Sequence, residues 1–402
     1  MSDLHNLSER IFGNELKYVT EVLAMEFRSS TGSVMMRRLE NAFSEKFGSK
    51  YAVSFVNGTA TLHAALEAWG IGMGDEVIVP PLTMSAPALA VLQANATPVF
   101  ADIDPDTFQI SASSIAERIS GRTKAIMPVA LYGLCPDMNA ILALATTHKL
   151  KVIEDNAQCF LGRYHGRLVG TIGDCASFSF QSSKHMTSGE GGIVITDDLG
   201  FAESLRKVQS LGYAGVSASQ GKITKRDIQD PNYSRHVTLG WNYRMSELCC
   251  AVALAQLENL EQLVSARVEA AKLFSDAAAG HSWLRPQHTP DGLVHSYWTW
   301  TALLDTDAIE WHEFRDRFLN LGGDGIYAAW QLSYLEPMFQ KSSFLGREKL
   351  ISEESRRAYT RGLCPVAESI QPRLLQFRTN YWSREQAQRQ ADILRKTLDS
   401  FS

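Results

Sequence analysis

The sequence predicts an α/β fold, with a large domain built on a mostly parallel sheet with helices on both faces and a smaller C-terminal α+β domain. Three observations predict this fold. Between residues 51 and about 200, short apolar runs rich in β-branched residues alternate with stretches of helical periodicity, which is the pattern of βα units. A long helical pattern begins at Ser246, and an alternating small and aromatic run at 296–303 indicates a later strand.

The elements of the large domain follow from the spacing of the apolar residues. Strands are predicted at 51–55, 76–79, 97–100, 125–129, 152–154, 176–180 and 192–196. Helices are predicted between them at 61–69, 85–95, 110–119 and 139–148. Because nearly continuous apolar strands are typical of sheets covered on both faces, we expect a doubly wound domain.

The second part of the chain is predicted to begin with one long helix from Ser246 to about Leu273, which would bridge two domains. The strand at 296–303 follows, and then helices at 310–321 and 383–401. We expect a large α/β domain over 20–250 and a smaller α+β domain over 251–402, with residues 1–19 packing on the smaller one.

The composition excludes several classes of protein. The 402 residues are 45% hydrophobic and 21% charged, as in ordinary globular proteins, and the net charge of -5 argues against a nucleic-acid-binding surface. The most apolar stretch, 77–92, is interrupted by prolines, and the first residues lack the apolar core of a secretory signal. We therefore expect a cytoplasmic protein that has no membrane span. No Cys/His cluster indicates a metal site.

Lys184 is a candidate cofactor lysine. It follows a β-like run and lies among Ser and Gly residues, which leave room for a planar ring. A lysine that forms a Schiff base must lose its proton, which requires surroundings that disfavour the ammonium. On its own this pattern also fits a surface lysine in a loop, the more common situation.

A carboxylate and an amide follow the strand predicted at 152–154. Asp155 would lie where ligands gather in open α/β sheets, and it would keep a pyridine nitrogen protonated. Gln158, one helical turn further on, would reach the ring oxygen or the substrate. The alternative for Asp155 alone is a cap of the next helix.

A phosphate site is predicted where the first strand meets its helix. Gly58 lets the backbone approach an anion at the helix N-terminus, and Thr59 adds a hydroxyl. Ser179 would add a further donor. An isolated Gly-Thr pair at such a turn is also common as ordinary turn chemistry.

These motifs, in this order, resemble the sugar aminotransferase family of fold type I pyridoxal-phosphate enzymes, the DegT/DnrJ/StrS group. The resemblance covers roughly 30–270 and is carried by NGTATL at 57–62, GDEVIVP at 74–80, LYG at 131–133, PDM at 136–138, EDNAQ at 154–158, the run 177–192 and GWNYRM at 240–245. It implies pyridoxal 5′-phosphate on Lys184, with pyridoxamine 5′-phosphate as the intermediate form. It also implies cofactor contacts from Gly58, Thr59, Asp155, Gln158 and Ser179.

The resemblance further implies a homodimer with shared active sites, because the residue matching Asn242 reaches the phosphate bound by the neighbouring subunit. Two segments depart from the family pattern. Met84 stands where many relatives have an aromatic residue over the cofactor ring, and a thioether packs softly on such a face. The substrate-binding segment common in the family is replaced here by residues 322–331. The identity of the relatives' substrate therefore does not carry over to this chain.

The function that the resemblance implies is transfer of an amino group from an amino acid to a keto-sugar, and we expect glutamate as the donor and a nucleotide-linked sugar as the acceptor. The residues Tyr327, Trp330 and Gln331, with Tyr334, are candidates for a substrate wall, and packing of the small domain is an equal alternative. Other activities are open: a keto-cyclitol aminotransferase, a sugar dehydratase of the same fold, or a non-catalytic regulator. The dehydratases of the family have histidine in place of the cofactor lysine, whereas here His185 only follows it.

Overall fold

The computed structural model describes residues 8–25, 34–219, 226, 229–349 and 351–401. The helices, in chain order, are α1 (Asn14–Ala24), α2 (Val34–Phe47), α3 (Gly58–Ala68), α4 (Ala86–Gln93), α5 (Ala112–Arg118), α6 (Met138–His148), α7 (Leu199–Gln209), α8 (Glu247–Glu258), α9 (Leu260–Ala278), α10 (Trp311–Asn320), α11 (Pro337–Gln340), α12 (Glu353–Ala358), α13 (Pro365–Ile370) and α14 (Arg384–Asp399). The strands are β1 (Tyr51–Phe55), β2 (Glu76–Val79), β3 (Thr97–Phe100), β4 (Thr123–Ile126), β5 (Lys151–Asp155), β6 (Arg163–Tyr164), β7 (Arg167–Leu168), β8 (Cys175–Ser179), β9 (Gly192–Thr196), β10 (Leu284–Pro286), β11 (Leu293–Val294), β12 (Thr299–Leu304), β13 (Ile326–Ala328) and β14 (Leu374–Arg378).

The central sheet has the strand order β1-β9-β8-β5-β4-β2-β3. The pairs from β8 to β3 are parallel, and β9 runs antiparallel to both of its neighbours. Along β2, Val77 and Val79 pack in one core cluster with α3 and α4, whereas Ile78 packs in another with α5 and α6. The prediction of a mostly parallel sheet covered on both faces is confirmed.

The fourth strand, β4, shows how a proline ends the hydrogen-bond pairing between strands. The sequence pattern predicts a strand at 125–129, but β4 ends at Ile126. Met127 still donates its N–H to the carbonyl of Ile78, whereas Pro128 has no N–H to continue the pairing. The strand therefore ends earlier than its apolar run.

The long helix predicted from Ser246 to Leu273 is wrong in one respect, because the chain turns at Asn259 between α8 and α9. The Asn259 side-chain amide donates to the carbonyl of Ala255 at 3.0 Å, and its backbone N–H donates to Gln256 at 3.1 Å. Asparagine side chains compete for backbone groups in this way, which weakens a helix locally. Ser246 caps α8 as predicted, by accepting from Cys249.

The C-terminal part contains an antiparallel sheet of order β10-β12-β14-β13, with α9 and α14 packed together beside it. The strand predicted at 296–303 is found as β12 at Thr299–Leu304, because Tyr297 has a positive φ of 49° and leaves the extended region. Helices α10 and α14 lie within two residues of their predicted ends.

The N-terminal helix α1 packs against α8. Tyr18 and Val22 of this helix belong to the core cluster beneath the central sheet. The domain boundary at 250 and the packing of residues 1–19 on the smaller domain stay predictions. Among the helices that the structure describes, none combines the length and the hydropathy needed to span a bilayer.

Candidate active site

A cavity of about 640 Å³ opens where the carboxyl ends of β1, β5 and β8 meet, which is the usual ligand position in open α/β sheets. Its volume suits a ligand of drug size. The predicted site residues that line it are Gly58, Thr59, Met84, Asp155, Gln158, Ser179, Lys184 and Trp330. The fold thus brings together residues that are separated by more than 250 positions in the chain.

Lys184 lies in the loop between β8 and β9. Its side chain is partly exposed to the cavity, while its amino group is enclosed by protein and lies 4.8 Å from the centre of the Trp298 ring. Burial lowers the pKa of Lys184 to about 8, against the opposing attraction of Asp155 and Glu190. A larger fraction of neutral amine is therefore present near neutral pH than in a free lysine, as a nucleophile requires.

Asp155 is the last residue of β5 and is 4% exposed. Its Oδ1 accepts a hydrogen bond of 3.0 Å from the N–H of Ala157. Burial raises the pKa of Asp155 to about 6, although this hydrogen bond and the charge of Lys184 both lower it. Burial thus outweighs the mutual attraction of the two groups, and a cationic ligand would restore charge to the carboxylate.

An anion cradle lies at the N-terminus of α3. Asn57 caps the helix by accepting from the N–H of Ala60 at 2.8 Å, and Gly58 is its first residue. A Cβ at Gly58 would lie 2.8 Å from the Cβ of Ser179, so only glycine fits this close approach. Helix amides, the Thr59 hydroxyl and the Ser179 hydroxyl together suit a phosphate monoester.

Gln158 and Met84 also line this cavity. The Gln158 side-chain oxygen accepts a hydrogen bond of 2.8 Å from the N–H of Tyr132, whose φ of 64° aims that N–H at it. The amide nitrogen of Gln158 is then the group that remains for a ligand. Met84 is 45% exposed and lies on the same cavity, and its contact with a cofactor ring stays a prediction.

The structure places the remaining predicted residues elsewhere. Asn242 is exposed and lies outside the lining of this cavity, and Gln331 is exposed and outside it as well. Tyr327 lines a neighbouring cavity of about 530 Å³, and Trp330 lines both cavities. Tyr334 is fully buried in the core, where its hydroxyl donates to Glu368 at 2.5 Å.

Sequence reasoning missed several lining residues, of which Trp298 and Tyr243 are the largest. Trp298 stacks on Trp330 with ring centres 5.8 Å apart, and the pair stands between the two cavities. Trp298 lies in the aromatic run at 296–303, where the alternation indicated a strand and concealed the residue's position at a cavity. Tyr243 follows Asn242 directly, and its hydroxyl bonds to His63 at 3.0 Å.

The residues present fit pyridoxal phosphate. An enclosed lysine, a buried carboxylate facing the same space and a helix N-terminus that admits no Cβ are the three features that the aldehyde, the ring nitrogen and the phosphate require. Within the described ranges, no group of three or more His, Cys, Asp or Glu side chains could hold a metal ion.

Comparison with known proteins gives one consistent picture. Residues 9–374 match the DegT/DnrJ/EryC1/StrS aminotransferase family. The sequence is 40% identical over 310 residues to a GDP-perosamine synthase of Caulobacter vibrioides, covering 76% of this chain and 79% of the relative. It is 40% identical over 276 residues to an L-glutamine:2-deoxy-scyllo-inosose aminotransferase of Streptomyces fradiae, covering 68% of this chain and 63% of that one. The fold matches the crystal structure of an aminotransferase from Psychrobacter cryohalolentis with a TM-score of 0.83, at 28% identity and 97% coverage of each chain.

Proposed function

The chain belongs to the DegT/DnrJ/EryC1/StrS aminotransferase family, and from this premise we propose that it transfers an amino group from glutamate to a nucleotide-linked keto-sugar, using pyridoxal 5′-phosphate on Lys184. One observation carries the proposal. The cavity beside the central sheet holds Lys184, whose pKa is lowered by burial, together with the carboxylate of Asp155 and the N-terminus of α3.

Each part of the cofactor would be held by a separate element. Ser179, Thr59 and the first amides of α3 bind the phosphate, and the Asp155 carboxylate meets the ring nitrogen. Gln158 contacts the ring oxygen, and Met84 covers one face of the ring. When bound, the cofactor supplies a conjugated ring that withdraws electrons from the carbon that bears the amino group.

Lys184 has two tasks in succession. It would hold the cofactor covalently until an amino donor takes its place. Its freed Nζ would then move a proton between the Cα of the donor and the cofactor, and in the second half of the cycle it would move a proton from the cofactor to the carbon that receives the amino group. Its depressed pKa suits both directions, because neither the neutral nor the charged form dominates strongly near pH 8.

The choice of acceptor rests on the relatives and on the second cavity. This chain aligns with 79% of the length of the GDP-perosamine synthase relative. The name of that relative refers to a nucleotide-linked sugar. The cavity of about 530 Å³ beyond Trp298 and Trp330 leaves space for a substrate much larger than one sugar ring. A keto-cyclitol is the second candidate acceptor, because this chain is also 40% identical to the inosose aminotransferase, over 276 residues.

Product analysis distinguishes these acceptors. Purified protein loaded with pyridoxal phosphate is incubated with GDP-, UDP- and dTDP-linked 4-keto sugars and with scyllo-inosose, each with glutamate or glutamine, and products are identified by mass spectrometry. An amine formed only from a nucleotide-linked sugar supports the proposal. An amine formed only from the inosose would establish the cyclitol activity instead. Deoxygenated product without amine would overturn aminotransfer.

We further propose a homodimer in which Asn242 reaches the cofactor site of the partner subunit. Asn242 is exposed on its own chain and flanked by the exposed apolar side chains of Val237 and Leu239, which are 56% and 74% exposed. Exposed apolar side chains that lie together in a patch, rather than singly, mark interfaces.

Mixing two defective variants tests the shared site. Lys184→Ala and Asn242→Ala chains each have low activity alone, but a mixed dimer contains one site with both native residues. Recovery of activity after mixing and subunit exchange is expected. Unchanged low activity, or a monomer by light scattering at micromolar concentration, would contradict the shared site.

A further inference from the structure

Two arginines hold the main chain of the loop that carries Lys184, and one of them comes from the N-terminal segment. Arg10 donates from Nη1 to the carbonyl of Ser182 at 2.7 Å. Its Nη2 donates to the carbonyls of Lys184 at 2.5 Å and His185 at 3.0 Å. A single guanidinium thus contacts three carbonyls of a loop more than 170 residues away in the chain.

Arg267 of α9 contacts the same loop. Its Nη2 donates to the carbonyls of Ser183 at 2.8 Å and Lys184 at 3.0 Å, and its Nη1 donates to Trp298 at 2.8 Å. Every carbonyl from 182 to 185 therefore accepts a hydrogen bond from a guanidinium, and the carbonyl of Lys184 accepts from both. The planar fork of arginine, with donors in fixed directions, suits this arrangement.

The position of Arg10 is itself determined by hydrogen bonds. Gln256 of α8 donates from Nε2 to the carbonyl of Arg10 at 2.9 Å and to Glu15 at 2.7 Å. The second oxygen of Glu15 accepts from the N–H groups of Phe12 and Gly13. This closed turn before α1 fixes where the Arg10 side chain begins, so its reach to the loop is built into the fold.

Both guanidiniums also lie against one aromatic ring. The Cζ atoms of Arg10 and Arg267 are 5.1 and 5.8 Å from the centre of the Trp382 ring. Within the described part of the chain, no carboxylate forms an ion pair with either arginine. Their positive charge is therefore left uncompensated next to the lysine loop, which disfavours a further ammonium there.

Three charged side chains on different elements act on the amino group of Lys184. Asp155 at the end of β5 and Glu190 before β9 favour its charged form, whereas Arg267 on α9 favours the neutral form. Burial acts in the same direction as Arg267 and is the largest influence on the pKa of Lys184. Arg10 adds a second positive charge on the side of the loop backbone.

We propose that Arg10 and Arg267 are positioning residues that fix the backbone of Lys184 for reaction with the cofactor. This inference rests on the proposed role of Lys184 as the cofactor lysine. It assigns a task in the active site to the N-terminal segment. Loss of the fork from Arg10 leaves carbonyls of Ser182 and His185 without that donor, so the loop should loosen and positive charge should be lost at the same time.

The test uses the full chain, prepared free of cofactor, with the variants Arg10→Ala and Arg10→Lys. The first readout is the rate at which added pyridoxal phosphate is captured by the lysine, followed by visible absorbance across a pH series. The second readout is amide hydrogen exchange of residues 181–188, which needs no cofactor. Arg38→Ala is the matched control, because Arg38 also anchors α1, through Glu21 at 2.9 Å and the Tyr18 ring, without contacting the loop.

Arg10→Ala is expected to capture the cofactor about threefold more slowly than the parent across the pH series, because fewer hydrogen bonds hold the backbone of Lys184. Exchange in 181–188 should rise. Arg10→Lys keeps the charge but not the planar guanidinium, so its capture should also be slower and its exchange should also rise. Arg38→Ala should match the parent in both readouts.

The outcomes separate the inference from the proposed function. A parent protein that captures no pyridoxal phosphate would overturn both. If the parent captures pyridoxal phosphate and Arg10→Ala is identical to the parent in both readouts, the positioning role of Arg10 is overturned and the proposed function is not. Equal changes of capture rate and exchange in Arg38→Ala would also overturn the positioning role of Arg10, because they would show that any loosening of α1 has the same effect.

Discussion

The cavity has two sides that are built in different ways. On the sheet side, Asp155, Gly58 and Ser179 belong to β5, α3 and β8, and their backbones are fixed by regular hydrogen bonding. On the opposite side, Trp298 and Trp330 lie outside the regular strands and are only partly buried. The sheet side carries a buried carboxylate and a helix N-terminus, whereas the opposite side carries two tryptophans that also line a second cavity.

This difference separates the residues that set protonation states from the residues that recognise the acceptor. The amino group of Lys184 and the carboxylate of Asp155, whose pKa values are shifted, lie where desolvation acts on them. Groups that recognise a variable acceptor stand on connections at the rim, which can change without disturbing the sheet. We therefore expect substitutions on the sheet side to alter the chemical step or cofactor binding, and substitutions on the opposite side to alter only recognition of the acceptor.

The largest effect is expected from Asp155→Asn, which removes the buried carboxylate and keeps its size. The rate should fall by about 10² to 10³-fold, the usual effect of losing one electrostatic contact in an enclosed site. Because the pKa of Asp155 is raised to about 6, its charge is lost as the pH falls through that value. The cofactor affinity of the parent should therefore decline more steeply below about pH 6 than that of the variant, which keeps only the decline caused by protonation of Lys184.

A pH series of cofactor titrations on both proteins checks this prediction. If the variant shows the same acidic decline as the parent, a group other than Asp155 causes it. Equal turnover of the two proteins would remove Asp155 from the cofactor site.

Gly58→Ala is expected to have the next largest effect. The added Cβ would meet the Cβ of Ser179 at 2.8 Å, so the cradle must open. The dissociation constant for pyridoxal phosphate should rise about tenfold, which is about 1.4 kcal/mol. Gly121→Ala is the matched control, because a Cβ there meets nothing within 4 Å.

Equilibrium dialysis of the two variants and the parent measures this change. A Gly58→Ala protein with parental affinity would show that the phosphate binds elsewhere. The same loss in Gly121→Ala would indicate a general effect on the fold.

Much of the sheet side could be predicted from the sequence, since β1, β2, β3 and β9 have their predicted bounds. Lys184 and Asp155 were found because their neighbours form recognisable runs at the ends of strands. Trp298 could not be found in this way, because its position depends on Tyr297 leaving the extended region and not on any local pattern. Arg10 was missed for a similar reason: its contacts with 182–185 join segments that no periodicity connects.

Trp330→Ala should raise the KM for the acceptor about tenfold and leave the cofactor affinity unchanged, because Trp330 stacks on Trp298 between the two cavities. Steady-state kinetics with the best acceptor and a cofactor titration check the two halves of the prediction. A variant that loses cofactor instead of acceptor affinity would contradict the division between the two sides.

The smallest effect is expected from Tyr327→Ala. The side chain is 57% exposed and lines only the second cavity, so the KM for a nucleotide-linked acceptor should rise only about twofold. The KM for a small acceptor without a nucleotide should not change. A parallel rise for both acceptors would show that Tyr327 does not act through the second cavity.

The most direct test of the central claim is the visible absorbance spectrum of the purified protein and its Lys184→Ala variant, each incubated with pyridoxal phosphate and then with glutamate. Lys272→Ala, which removes an exposed lysine of α9, is the control. We predict a visible band of lysine-bound cofactor in the parent and the control that glutamate abolishes, and no such band in Lys184→Ala. A band that persists in Lys184→Ala, or a parent without any band, would contradict the assignment of Lys184 as the cofactor lysine.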